Sequence, residues 1–242
     1  MFNQPPVRKK RFDGFRAAPV QIICLSFIGV ILVGTILLMS PMSSRSGDIT
    51  PFNDALFTAT SATCVTGLIV YDTYIHWSGI GQCVILLLIQ IGGLGLITLT
   101  SLVNIMIGKK LGLRSMDLAK ESMNTDSFAD VKRMVRTIMI VTLSIEAIGA
   151  AILAVTFVPK YGAFEGGFTA LFLSVSAFCN AGFDLLGREG EYVSLMNYTS
   201  QPLVYLPIAA LIVFGGLGFI VWRELYYYRK TKTLSLHSRL VL

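Results

Sequence analysis

Four apolar stretches, 19–40, 82–107, 136–158 and 203–227, divide the chain and carry between them only four charged residues, Arg136, Glu146, Arg223 and Glu224. Each exceeds the roughly 20 residues that an α-helix needs to cross about 30 Å of hydrocarbon, so each predicts a membrane span. Shorter half-apolar runs, 52–63 and 166–178, lie between the first and second spans and between the third and fourth. A helix of about 12 residues is about 18 Å long, too short to cross. "TPFND" offers a helix start, with Thr50 as N-cap and Pro51 at the first helical position. Each short run leads into a loop containing Gly, "TSATCVTGL" (60–68) and "SAFCNAGF" (176–183). Irregular backbone at membrane depth is tolerated only where it is buried in protein or lines a water-filled cavity. The pattern therefore predicts two re-entrant segments. A helix lying on the outer membrane surface is the other reading of the same pattern.

Charge then sets the orientation. Of the 20 basic residues, all but Arg45, Lys160 and Arg188 fall within 8–16, 109–136 or 223–239, at the cytoplasmic ends that the positive-inside rule requires. Both termini and the central linker are expected in the cytoplasm, and the chain in the plasma membrane. The first span follows "RKKRFDGFR" but is too long for a signal-peptide core and lacks a small-residue cleavage site, so it reads as a retained anchor. Composition agrees: 14% of residues are charged, against about 25% in soluble domains. The lipid bilayer accounts for the net charge of +6 without nucleic acid. Cys24, Cys64, Cys83 and Cys179 form no CxxC pair, and His76 and His237 are the only histidines, which argues against a zinc site or a disulfide framework.

The halves repeat. "ALFTATSATCVTGL" (55–68) aligns with "ALFLSVSAFCNAGF" (170–183) at an offset of 115, matching Cys64 with Cys179 and Gly67 with Gly182. "IGGLGLI" (91–97) aligns with "FGGLGFI" (214–220) at an offset of 123. The fold class expected is an all-α membrane protein with two parallel repeats of helix, re-entrant pore helix, filter loop and helix. The organisation is a basic tail (1–18), a first repeat (19–110), a cytoplasmic linker (111–135) and a second repeat (136–242).

A cation filter replaces an ion's hydration shell with backbone carbonyls, and glycine lets the chain aim them. Thr63, Cys64, Val65, Thr66 and Gly67, with Phe178, Cys179, Asn180, Ala181 and Gly182, are the candidate filter residues, and none is charged. Asp48, Asp54, Asp72, Glu165, Asp184, Glu189 and Glu191 flank them on the outer side. They either concentrate cations in a vestibule or simply solvate the loops.

"TSATCVTGL", "IQIGGLGLIT" and "SAFCNAGF", in this order, resemble the membrane subunit of the Ktr/Trk/HKT superfamily of potassium transporters, over nearly the whole chain. The resemblance implies potassium-channel-like units with one filter glycine each, at Gly67 and Gly182 here. It also implies potassium as the substrate, held at filter carbonyls, with sodium a candidate activator and no other cofactor. A homodimer and a cytoplasmic nucleotide-binding regulatory ring are the partners expected. The family places four units around one pore. This chain holds two, so it is expected to be the N-terminal half of a longer protein.

Gly92, Gly93 and Gly95, with Gly215, Gly216 and Gly218, form the repeated GGLG clusters. Close helix packing is their main reading and a gating bend the second; a dinucleotide loop would need a βαβ unit around it. Glu146, near the middle of the third span, is costly there and marks a functional position, protonated or bonded to a freed backbone group. A membrane scaffold or embedded enzyme is the alternative function, although no nucleophile–base pair or metal set is visible.

Overall fold

The computed structural model describes residues 19–95 and 128–218, with isolated positions between 221 and 241. The first half contains α1 (Pro19–Met39), α2 (Phe52–Thr63), α3 (Thr73–His76) and α4 (Gly79–Leu94). The second contains α5 (Phe128–Tyr161), α6 (Ala163–Phe178), α7 (Pro202–Gly216) and α8 (Leu236–Val241), with 3-10 turns at Leu186–Glu189 and Met196–Tyr198. The described residues form no strand, only an isolated bridge between Ser44 and Trp77, in line with the all-α expectation.

Arg136–Tyr161 within α5, 26 residues, is the one stretch among the described residues long and apolar enough to cross a bilayer alone. Cys24–Met39, Gly79–Leu94 and Pro202–Gly216 are shorter apolar helices. Leu25, Ile28 and Ile36 of α1, like Ile140, Leu143 and Ile148 of α5, point away from the protein. Such a surface is unfavourable in water and neutral against lipid tails. The second and fourth apolar stretches do not continue as single helices: α4 stops at Leu94 and α7 at Gly216. Gly95 and Gly218 follow in the left-handed region, with φ of 76° and 80°, which ends a helix without steric penalty. The remainder of the 82–107 stretch lies outside the described residues, as do the tail at 1–18 and most of the 111–135 linker.

Two helix starts differ from the sequence expectation. Pro51, not Thr50, occupies the N-cap position of α2, and the Thr50 hydroxyl instead sits 3.1 Å from His76 Nε2. A partner across the loop has taken the hydroxyl that the cap would have used. α6 begins at Ala163, three residues before the apolar run at 166, after Gly162 with a φ of 89°. Gly166 is inside the helix because its α-carbon abuts the Phe157 carbonyl of α5, where a Cβ would overlap.

One buried cluster joins the halves: Leu38, Trp77, Ile85 and Ile89 pack with Phe172, Val175, Ala181 and Phe183. The other holds the second half together through Leu153, Phe157, Leu173, Tyr198, Val204 and Ile208. The loops between these helices are stitched by polar contacts. Asp72 caps α3 by accepting from the N–H groups of Tyr74 (2.9 Å) and Ile75 (3.0 Å), and it also accepts from the Tyr192 N–H of the second half at 3.0 Å. Arg188 pairs with Glu165 and donates to the Tyr74 hydroxyl.

Candidate functional site

α2 and α6 end in the same way, 115 residues apart. The N–H groups of Cys64, Val65 and Thr66 donate back to the carbonyls of Thr60, Ala62 and Ser61 at 2.8, 3.3 and 2.9 Å. Those of Cys179, Asn180 and Ala181 donate to Val175, Ala177 and Ser176 at 2.9, 3.0 and 2.7 Å. This is the Schellman termination, which needs a left-handed residue just past the cap. Val65 (φ 57°) and Asn180 (φ 59°) fill that place, and Gly67 (φ 74°) and Gly182 (φ 76°) return to the same region two residues on. Sequence reasoning named Val65 and Asn180 only for their carbonyls and assigned the backbone freedom to the glycines, so the left-handed turns at these two positions were missed. Asparagine tolerates this conformation, so Asn180 was a usable signal. A β-branched valine is there against its preference.

The hydrogen bonds fix where the carbonyls point. In a planar trans peptide the N–H and the preceding C=O are opposed. Three N–H groups committed back into the helix therefore throw the carbonyls of Thr63, Cys64 and Val65, and of Phe178, Cys179 and Asn180, forward from the helix end. The C-terminal end of a helix carries a partial negative charge that favours cations. Neither α2 nor α6 has a basic side chain in its last turn to occupy it.

The glycine clusters separate by position. The α-carbons of Gly92 and Gly215 abut the carbonyls of Thr63 and Phe178, so close that a Cβ at either would overlap backbone oxygen. Gly93 lies against Cys179 of the other half, whereas its counterpart Gly216 has open space around it among the described residues. Gly95 and Gly218 touch neither loop. The loops themselves lie side by side, and a Cβ on Gly67 would be 2.6 Å from the Ala181 carbonyl oxygen.

Side chains differ between the loops. Thr66 Oγ1 donates to Ser61 Oγ at 2.9 Å, while the counterpart serine, Ser176, donates to the Phe183 carbonyl at 2.6 Å. Asn180 Nδ2 reaches the carbonyls of Phe178 (3.4 Å) and Ile212 (3.3 Å). The buried Thr63 hydroxyl has no hydrogen-bond partner among the described residues. Exposure differs more sharply. Phe172 and Phe183 are 0% and 2% exposed, packed on the first half, while their counterparts Phe57 and Leu68 are 43% and 60% exposed.

The acids flanking the two loops are mostly engaged. Asp54 accepts from the Tyr71 hydroxyl at 2.6 Å. Burial pushes the Asp184 carboxyl up, against a 2.9 Å bond from the Leu186 N–H. Burial also works against the Glu189 charge, but Lys160, Tyr161, Tyr198 and Asn197 all donate to it and hold its carboxyl down at about 2. Glu146 lies on α5 beside the start of the second loop, within electrostatic reach of Cys179. It is bonded to a side chain, Gln90 of α4, and not to a freed backbone group. Among the described residues no group of three or more His, Cys, Asp and Glu is placed to hold a metal ion.

The family model for TrkH, described as a cation transport protein, matches residues 7–240. The potassium/sodium uptake protein NtpJ of Enterococcus hirae is 42% identical over 98% of this chain and 51% of its own length. The Ktr system potassium uptake protein B of Bacillus subtilis is 42% identical over 94% of this chain and 49% of its own. Its namesake in Vibrio alginolyticus is 40% identical, over 95% and 50%. The chain thus spans about half the length of the curated relatives it matches.

Proposed function

Because the chain belongs to the TrkH family of cation transport proteins, we propose that it contributes two units to a membrane pore that carries potassium into the cell. One observation carries the reading: the same triplet of forward-directed carbonyls is built twice, at the ends of α2 and α6, by matching hydrogen bonds. Uncharged oxygens beyond a negative helix end suit a dehydrated monovalent cation. In this reading α2 and α6 are re-entrant pore helices. Gly67 and Gly182 shape the filter, Gly92 and Gly215 let the following helices approach it, and the Thr63 hydroxyl, without a partner among the described residues, is a further oxygen at its inner end.

Two more units complete the pore in the full-length protein. The relatives are about twice as long, and the face of the first unit bearing Phe57 and Leu68 matches the one that the second unit buries. The outer acids form a cation-attracting vestibule, with both chain ends and the 111–135 linker in the cytoplasm of a plasma-membrane protein. A homodimer, a nucleotide-binding ring contacting the linker, and sodium activation complete the proposal. It is tested by potassium uptake in a cell lacking its own uptake systems, with the full-length protein. Gly67→Ser is expected to weaken discrimination between potassium and sodium; unchanged selectivity would falsify the filter assignment.

A further inference from the structure

Glu146 and Gln90 meet at the boundary between the two halves. The Glu146 side chain is 3% exposed, and Gln90 Nε2 donates to both of its oxygens, at 3.1 and 3.3 Å. At the same turn of α5, the backbone carbonyl of Glu146 accepts from the Ser174 hydroxyl of α6 at 2.7 Å. A Cβ on Gly149, in the next turn, would be 2.6 Å from that hydroxyl, so α5 and α6 have no slack here. On α4, Gly93 is three residues beyond Gln90 and lies against Cys179, where the second loop begins. Three helices are thereby tied together at the inner end of one loop.

The repeat does not keep these side chains. At the repeat offsets the counterparts of Glu146, Gln90 and Ser174 are Ile31, Val213 and Ala59, and no side chain among them can make these bonds. Packed apolar residues of similar volume are generally as stable as a buried polar pair, or more so. Stability alone therefore does not account for keeping a carboxyl group here.

We propose that Glu146 is a positioning residue for the second loop. Through Gln90 and Ser174 it fixes α4 against α5 and α6, and so fixes where Gly93 holds Cys179 and the carbonyls that follow it. The inference rests on reading the loops as an ion filter.

The test compares potassium and sodium uptake by the full-length protein in three forms: Glu146→Gln, the double variant Gln90→Met/Glu146→Met, and the Gly67→Ser reference. The double variant removes both polar partners at similar volume, which leaves folding nearly neutral. Its potassium-over-sodium ratio is expected to fall about 3- to 30-fold, the range for residues that couple to a site without touching its ligand. Membrane abundance should be unchanged. Glu146→Gln, which keeps an acceptor for Gln90, restores the ratio to within about twofold of the unaltered protein. An unchanged ratio in the double variant overturns the positioning role, and so does loss of the folded protein, which would make the pair structural only. If the unaltered protein takes up no potassium, or Gly67→Ser keeps its discrimination, the filter reading fails and this inference falls with it.

Discussion

Val65 and Asn180 occupy the same turn of the two halves, with φ of 57° and 59°, yet bring opposite chemistry to it. Asparagine is at ease in a left-handed turn and uses its amide to bond the carbonyls of Phe178 and Ile212. Valine is strained there and offers no donor. The backbone bonds are nevertheless the same in both loops. Backbone geometry is therefore the property the two loops share, and side chains are adjusted to local neighbours. The flanks differ for a related reason: the second unit has its neighbour in place, and the first presents the equivalent face uncovered.

The shared part of this comparison breaks most readily behind the loops. Gly92→Ala and Gly215→Ala should each destabilise the protein by roughly 1–3 kcal/mol, because a methyl group must displace a backbone carbonyl. Thermal unfolding in detergent checks this, and a tolerated Gly215→Ala would show the halves to be less alike than their hydrogen bonds imply. At Gly67 and Gly182 the halves should diverge. Both Gly67→Ala and Gly182→Ala place a side chain at positive φ, at about 1–2 kcal/mol. Only the Cβ on Gly67 also meets backbone oxygen, at 2.6 Å; the one on Gly182 has its nearest atom at 3.6 Å. Gly67→Ala should therefore lose more stability and more ion discrimination than Gly182→Ala, read in the same uptake assay.

Gly93→Ala and Gly216→Ala sharpen the question of the uncovered face. Gly93 is closed off by Cys179 and Gly216 is open among the described residues. If further units complete a ring in the full-length protein, the two substitutions should impair transport alike, whereas a harmless Gly216→Ala would count against the ring. The smallest effect is expected at the loop entrance. Val65→Asn should stabilise by about 1 kcal/mol and Asn180→Val destabilise by a similar amount, seen as opposite shifts in the melting temperature.

Much of this was legible from spacing. The run 52–63 coincides with α2, because apolar content, Pro51 and the Gly-bearing loop all mark the same boundaries. The start of α6 was not, since Gly166 looks like a helix breaker until Phe157 is seen against it. The second and fourth apolar runs read as unbroken spans, because hydropathy registers lipid solubility and not the left-handed turns at Gly95 and Gly218. Val65 was hidden by its own preference. Glu146 stood out as a charge among apolar residues, but its partner is 56 residues away on another helix, and no local pattern connects them.

The capped helix ends also bear on speed. A hydrated ion that sheds water must be met by oxygens already oriented, or the loop has to reorganise at each passage. If these loops are the proposed filter, the direction of those oxygens is settled by bonds that form when α2 and α6 are capped, and the entropy of ordering them is lost once, at folding, and not again for each ion that arrives.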